Sequence, residues 1–183
     1  MVMIVAGPPL TQFSGHAQPQ LAIPGPGSNA YQMFPANDTT TWLVSPGVYD
    51  CAILTIALAT TRPGGPVIGG RRPGGGQAVA QGFIRAMAHF NPFSGPRGPE
   101  IAGLFALCLA GQTATVNDLT VAISFNAGAR RPYVSQLAKV VGEAVPTLQS
   151  LTTHGYGVAS PQGQSTNPVT IYLSPMGRLS ASQ

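Results

Sequence analysis

The sequence predicts an α+β chain with a β-rich N-terminal half that contains a hairpin, a helical C-terminal half, and extended N- and C-terminal arms. Three observations lead to this class. Residues 39–60 are rich in β-branched and apolar residues around a Ser-Pro-Gly turn signal. In much of 77–152, apolar residues recur every three or four positions, as on one face of a helix. The two ends are rich in Pro, Gly, Ser and Gln.

The domain organisation follows from these changes in composition. We expect an extended N-terminal arm over 1–37, a single compact domain over 38–155, and a C-terminal strand and arm over 156–183. In the first arm, residues 2–6 can form a short strand, and the Pro-Gly stretches after it exclude a helix. Such an arm either lies on a neighbouring subunit or wraps its own domain.

The expected β region begins with a hairpin. Residues 39–44 form its first strand, Ser45-Pro46-Gly47 its turn, and 48–60 a long and largely buried second strand. A Gly/Pro-rich loop with arginines follows over 61–76, and residues 169–173 predict a late strand.

Helices are expected in the second half. The first, over 77–91, has an apolar face of Val79, Phe83, Met87 and Phe90 and a polar face of Gln77, Gln81, Arg85 and His89. A second, over 99–111, begins with Pro99 and is apolar nearly all round. Residues 113–125 fit a helix opened by a capping box or an alternating strand, and we favour the helix. The longest helix is expected over 132–152, kinked at Pro146.

The scarcity of charge is the main functional signal. Only 8% of the residues are charged, whereas an ordinary soluble domain has roughly 25%. A surface of Gly, Ser, Thr, Gln and apolar atoms favours association once neighbouring copies cover it. A secreted or low-complexity protein with an uncharged polar surface is the alternative. Neither the N-terminus nor the apolar runs 51–60 and 101–111 fits a signal peptide or a membrane span.

The motifs that identify common enzymes do not occur in the sequence. It has no HExxH, CxxC, GxSxG or GxGxxG pattern, and the glycines at 74–76 lack the lysine of a phosphate-binding loop. A pair of Cys51 or Cys108 with His89 or His154 is formally possible, but both cysteines lie in apolar runs typical of buried thiols. We therefore expect no catalytic residue, cofactor, metal or small-molecule substrate.

Nucleic-acid binding is the stronger chemical hypothesis. The net charge is +4, and arginine makes bidentate contacts with phosphate. Arg130 and Arg131 precede the expected long helix, whose N-terminus attracts phosphate, and Tyr133 could stack on a base. The alternative is that these arginines bind helix carbonyls or the five acidic residues. The candidate residues are Arg62, Arg71, Arg72, Arg85, Arg130, Arg131 and Tyr133.

In composition and layout the chain resembles small viral coat proteins: it is short, poor in charge and rich in proline, with arms around a compact core. The coats of flexuous filamentous plant viruses are similar in layout, with a helical core and an RNA groove. Icosahedral plant virus coats share the composition but are jelly rolls, which the helical pattern of 77–152 argues against. The resemblance implies a subunit of a homo-oligomeric shell or filament in a virion, assembled in host cytoplasm and able to package single-stranded RNA.

Two rival functions remain open from the sequence. The first is a phage or bacterial tail or decoration protein that assembles without nucleic acid. The second is a small enzyme or toxin domain, which would require a pocket that brings His89 or His154 together with a cysteine or a carboxylate. No membrane partner is expected under any of these hypotheses.

Overall fold

The computed structural model of the chain is a two-sheet β-sandwich with one helix packed on the outer face of the larger sheet. It describes residues 4–6, 11–13, 20–23, 30–49, 51–61, 81–90, 98–110, 119–126, 153–158 and 168–182.

Eleven strands and one helix make up the described part of the chain. The strands are β1 (Ile4–Ala6), β2 (Thr11–Gln12), β3 (Gln20–Ala22), β4 (Ala30–Phe34), β5 (Thr41–Val48), β6 (Ala52–Thr61), β7 (Gln81–Phe90), β8 (Leu119–Asn126), β9 (Thr153–Val158), β10 (Val169–Leu173) and β11 (Leu179–Ser182). The helix, α1, spans Gly98–Leu109 between β7 and β8.

The two sheets differ in the number of strands, but the edge strands of both come from the N-terminal part of the chain. The six-stranded sheet has the order β1-β9-β8-β6-β7-β4, and the five-stranded sheet has the order β2-β11-β10-β5-β3. The longest pairings, of β6 with β7 and with β8, are antiparallel. The pairings β1/β9, β8/β9, β2/β11 and β3/β5 are parallel. All four described sheet edges are therefore strands from the first 34 residues, β1 to β4.

The central strands of the six-stranded sheet have two buried faces. On one face, alternate residues of β6, β7 and β8 pack against α1 and include Leu54, Ile56, Leu58, Ile84, Ala86, Phe90, Val121 and Ile123. On the other face, Ile53 and Met87 pack against Leu43, Val48, Ile171 and Leu173 of the five-stranded sheet. The sandwich thus has a three-layer arrangement of helix, sheet and sheet, with a core at each junction.

The predicted helix over 77–91 is wrong, because its described part, residues 81–90, is strand β7. The reason lies in the two buried faces. Ile84, Ala86 and Ala88 face the helix layer, whereas Met87 and His89 are buried on the side of the other sheet. A strand covered on both faces does not alternate between apolar and polar residues, so its sequence can resemble that of a buried helix.

The preference for a helix over 113–125 is also wrong. Residues 119–126 form β8, in which Val121 and Ile123 face α1 while Ala122 and Ser124 are buried on the opposite side. The alternation in this segment was the correct signal. Because the described elements after α1 are all strands, the predicted helical C-terminal half is wrong as a fold class. The long helix expected over 132–152 lies outside the described residues.

The predicted hairpin over 39–60 is wrong as well. Its two strands exist, but β5 belongs to the five-stranded sheet and β6 to the six-stranded one. Ser45, Pro46 and Gly47 lie inside β5, where the register against β10 shifts and Gly47 has φ 70°. A bulge accommodates the extra residue, and glycine adopts positive φ without a steric penalty. The turn signal therefore marks a bulge.

The other predicted elements agree better with the structure. The helix over 99–111 is confirmed as α1, and the strand over 169–173 is confirmed as β10. The short strand expected in residues 2–6 is present as β1. The described parts of the predicted arms, β1 to β4 within 1–37 and β10 and β11 within 156–183, are strands of the two sheets.

A glycine in β7 allows a close backbone approach, and its replacement tests the packing there. A Cβ at Gly82 would overlap the carbonyl oxygen of Ala36. We expect Gly82→Ala to lower the free energy of unfolding by about 2 to 3 kcal/mol, because backbone must move to relieve the overlap. Denaturant unfolding measures this change.

The matched control is Gly103→Ala in α1. A Cβ there meets nothing within 4 Å, and alanine favours a helix by about 0.5 to 1 kcal/mol over glycine. The control should therefore be neutral or stabilising. Equal destabilisation by both substitutions would contradict the close approach at Gly82.

Candidate functional site

A row of polar side chains, buried except for the partly buried Asp38, lies between the two sheets where β7 faces β5 and the residues just before β5. Arg85 and His89 are four residues apart on β7, and Met87 lies between them on the same face. Alternate residues of a strand share a face, so all three point towards the five-stranded sheet. Arg85 pairs with Asp38, and His89 pairs with Ser45. We call Arg85, His89, Asp38 and Ser45 the buried polar row.

Arg85 ties β7 to the corner of residues 35–40, where the chain passes from β4 in one sheet to β5 in the other. Its side chain is 0% exposed. Its guanidinium donates to the carbonyl oxygens of Thr41 and Asp38, the latter at 2.9 Å, and lies 3.5 Å from the Asp38 carboxylate. The guanidinium also lies 5.9 Å from the ring centre of Phe34. These contacts offset part of the cost of removing the charge from water, although the Arg85 Nε–H is buried without a hydrogen-bond partner.

Asp38 organises the corner from its other side. Its carboxylate accepts hydrogen bonds from the backbone N–H groups of Thr40, at 3.0 Å, and Thr41, at 2.8 Å. Burial by itself raises the pKa of Asp38. The hydrogen bonds from Thr41 and Thr40 and the charge of Arg85 outweigh that effect, so the pKa is lowered overall. The carboxylate is therefore ionised at neutral pH and matches the Arg85 charge.

Ser45 and His89 form the second contact of the row. The Ser45 hydroxyl lies 2.8 Å from His89 Nδ1, and both residues are buried. Burial lowers the pKa of His89, so the neutral imidazole is favoured. The pair combines a hydroxyl with a base, but a substrate could reach it only if the two sheets separated. In this position it joins β5 to β7 by a hydrogen bond between neutral groups.

Three aromatic rings form a cluster on the outer face of the five-stranded sheet. Phe13, just after β2, stacks on Tyr172 of β10 with ring centres 4.0 Å apart and an interplanar angle of 6°. The same ring meets Trp42 of β5 edge-on at 5.2 Å. The Phe13 N–H also donates to the Ala181 carbonyl at 2.8 Å. We call Phe13, Trp42 and Tyr172 the aromatic cluster; it holds the N-terminal segment on the sheet.

A groove of about 560 Å³ lies on the other side of the sandwich, between α1 and the edge strand β4. Its lining is mainly apolar and comprises Tyr31, Ala88, Phe90, Glu100, Gly103, Leu104, Ala106 and Leu107. The side chains of Tyr31 and Leu107 are 57% and 50% exposed, respectively. We call this the α1 groove. It collects neither His89 nor Cys108, which a cysteine or histidine enzyme would need there.

Cys108 does not form a reactive pair with His89. Its thiol is buried in the core under α1, with Sγ 3.9 Å from Met33 Sδ, and burial raises its pKa to about 12. His89 is buried on the opposite face of the six-stranded sheet, against Ser45. Cys51, at the start of β6, is half-buried, and the side chain of His154 lies outside the described part of the structure.

The structure places one of the seven predicted nucleic-acid-binding residues. Arg85 is buried in the polar row, where its guanidinium is bound to Asp38 and Thr41. It presents no donor to solvent, so we leave it out of the candidate interface. The other six, Arg62, Arg71, Arg72, Arg130, Arg131 and Tyr133, lie outside the described residues and stay predictions.

The sequence contained signals for the contacts that we did not anticipate. Arg85, Met87 and His89 share a strand face at a spacing of two, but the helical interpretation of 77–91 placed Arg85 and His89 on a solvent face. Asp38 followed by three threonines is a typical pattern for a side chain that caps its own turn. No local pattern connects Phe13 with Tyr172, because these residues are far apart in the sequence.

No known protein family and no curated protein matches the chain. The described segments contain no group of three or more His, Cys, Asp or Glu side chains that could hold a metal ion. Within the same segments, no helix is long and apolar enough to cross a membrane. The class that can be stated is therefore structural: a β-sandwich covered by one helix, with a buried polar row between its sheets.

Arg85→Met tests how strongly the polar row stabilises the sandwich. The substitution leaves two carbonyl groups and the Asp38 carboxylate without their partner. We expect the free energy of unfolding to fall by about 1 to 3 kcal/mol, because buried carbonyl groups lose their hydrogen-bond donor. Denaturant unfolding monitored by Trp42 fluorescence gives the value.

Arg178→Met is the matched control, since Arg178 is exposed in the turn between β10 and β11. It removes the same charge and should change the stability by less than about 0.5 kcal/mol. If the two variants are equally stable, Arg85 does not hold the corner.

His89 should make the stability depend on pH in a defined window. Because its pKa is lowered on folding, the unfolded chain takes up the proton first, near its ordinary pKa of about 6.5. The free energy of unfolding should therefore be constant above about pH 6.5 and fall as the pH decreases below it. His89→Gln should remove this slope. The other two histidines are common to both proteins, so the difference isolates His89.

Asp38 contributes in a separate window. Its pKa is lowered on folding, so its stabilisation is present above the unfolded pKa of about 4 and is lost as the pH falls further. Urea unfolding of wild type and His89→Gln between neutral pH and about pH 5 avoids that second window. Parallel curves for the two proteins would refute the assignment to His89.

Proposed function

We propose that the chain is a self-assembling structural subunit of a homo-oligomeric shell or filament, as in a viral coat. The observation that carries the proposal is the distribution of charge. Asp38, Arg85, Glu100 and Arg178 are the charged residues in the described segments. Arg85 is buried with Asp38, which leaves Glu100 and Arg178 as the charges well exposed on this part of the sandwich. A free monomer normally carries many more.

Exposed apolar side chains support the same proposal. Leu21 and Ile23 lie at edge strand β3, Tyr31 lies on edge strand β4, and Leu107 lies on α1. Tyr49 and Met176 are exposed as well. Edge strands and large apolar side chains are the features through which copies of a β protein associate. Their concentration at two sheet edges and on the helix favours contacts between copies.

The observed strands bear on whether the chain could form the shell of an icosahedral virus. The helical pattern of 77–152 argued against the coats of icosahedral viruses, but residues 81–90 and 119–126 are strands. Parallel pairings such as β8/β9 still separate this sandwich from a purely antiparallel jelly roll. The proposal therefore concerns assembly and does not specify the symmetry.

RNA packaging is the second part of the proposal. The described segments contain two basic and two acidic residues, so their formal charge is zero. The excess of +4 therefore comes entirely from the other segments, which contain seven basic and three acidic residues. Arg62, Arg71, Arg72, Arg130 and Arg131 supply most of that positive charge. Backbone phosphate contacts by these arginines would be independent of sequence and weakened by salt.

Sedimentation velocity at micromolar concentration tests the proposal. We expect the wild-type protein to form a large oligomer, and Leu107→Glu to shift it towards smaller species because a charge enters an apolar contact. Thr39→Glu is the matched control. It adds the same charge at an exposed polar position outside the edge strands and α1, so it should assemble like the wild type.

The absorbance spectrum of the oligomer fraction tests RNA packaging. Nucleic acid that co-sediments and is released by salt supports the viral-coat form of the proposal. An oligomer of pure protein favours the tail or decoration subunit that assembles alone. A stable wild-type monomer would overturn the proposed function itself.

A further inference from the structure

The N-terminal segment supplies every described edge of the sandwich. β1 and β4 border the six-stranded sheet, and β2 and β3 border the five-stranded one. Without them, β9, β7, β11 and β5 would each present unpaired N–H and C=O groups. Such edges accept any suitable strand, including the same strand from another copy. The same strands from a second copy could therefore cover these sheet edges equally well.

The pairings that involve β1 and β2 are short. β1 contributes three register pairs with β9, and β2 contributes two with β11. By contrast, β6 and β7 share ten. A pairing of two or three residues contributes few hydrogen bonds, so it can open without unfolding the sheets. The edge strands are thus the part of the sandwich that exchanges most easily.

The aromatic cluster explains how so short a strand is held. The Phe13 ring reaches across β11 to stack on Tyr172 and to meet Trp42. Aromatic side chains that dock on a preformed surface typically provide most of the energy of an interface. Phe13 is therefore an anchor that would serve equally on its own sheet or on the sheet of a neighbour.

We propose that β1, β2 and Phe13 of one copy dock on β9, on β11, and on Trp42 and Tyr172 of a second copy. This inference rests on the proposed function and gives the assembly its contact. The acceptor surface, formed by Trp42, Tyr172 and the edge of β11, differs from the donor strand. A one-way exchange is therefore a head-to-tail contact, which generates rings or filaments.

A cysteine pair distinguishes exchange between copies from pairing within one chain. Thr11 and Ser180 are register partners in β2 and β11, and Ser180 is paired with Tyr172 on the outer face. We would prepare Thr11→Cys and Ser180→Cys in separate chains with tags of different size. The two are mixed unfolded, assembled and oxidised. A disulfide between the two tagged chains can form only when β2 of one copy lies on β11 of the other.

We expect a covalent heterodimer that disappears on reduction and is absent when either chain is mixed with wild type. The double variant Thr11→Cys/Ser180→Cys in one chain should give covalent multimers. If the double variant gives only an internally linked monomer, and the mixture gives no heterodimer, the exchange is overturned. A lack of disulfide in both would overturn it too, because β2 would then not pair with β11.

Sedimentation of the wild-type protein separates this outcome from failure of the proposed function. An oligomer without a disulfide between copies leaves the assembly proposal intact and removes only the exchange. A monomer removes both. As a further measurement, Phe13→Ala should lower the yield of heterodimer in the cysteine mixture, whereas Thr120→Ala, an exposed residue on β8 outside the aromatic cluster, should not.

Discussion

The contact between Arg85 and the corner of residues 35–40 is the constraint on which the sandwich depends. The corner is where the chain leaves the six-stranded sheet and enters the five-stranded one. Arg85 binds the Asp38 carbonyl and carboxylate of the corner and the Thr41 carbonyl at the start of β5. Gly82 on the same strand lets the backbone of Ala36 approach closely. Four residues further along β7, His89 meets Ser45. A single strand therefore fixes both the position of the second sheet and its orientation over the first.

These buried polar contacts explain why so much of the fold escaped prediction from the sequence. Segments with a clear local pattern were predicted correctly: α1 has a proline in its first turn, and β10 is a run of β-branched and apolar residues. β7 was predicted wrongly, because the partners of its polar residues lie about 45 positions away in the chain. Arg85 contacts Asp38 and Thr41, and His89 contacts Ser45. A row of Arg and His at a spacing of four looks like a solvent-facing helix stripe until their partners are known.

The candidate sites show the same limit. Composition alone predicted a surface poor in charge, and the described segments agree with that expectation. Composition could not predict which of the few charges are buried, because the burial of Arg85 and the exposure of Arg178 depend on the residues that surround each of them in the fold. Nor could it predict the aromatic cluster, whose members come from β2, β5 and β10 and meet only once the five-stranded sheet has formed. Local patterns report the neighbours in sequence, and these sites depend on neighbours in space.

The origin of the sheet edges also sets an order of events during synthesis. Thr11 and its partner Ser180 are 169 positions apart, and β1 likewise awaits β9. At about 5–20 residues per second, a ribosome needs roughly 8 to 34 s to make the chain between β2 and β11. Throughout that interval the first strands have emerged while their own partners do not yet exist. A completed copy nearby already contains β9 and β11, and their short pairings with its own β1 and β2 can open. Translation on clustered ribosomes therefore lets the nascent N-terminus meet these strands in a neighbour before its own are made.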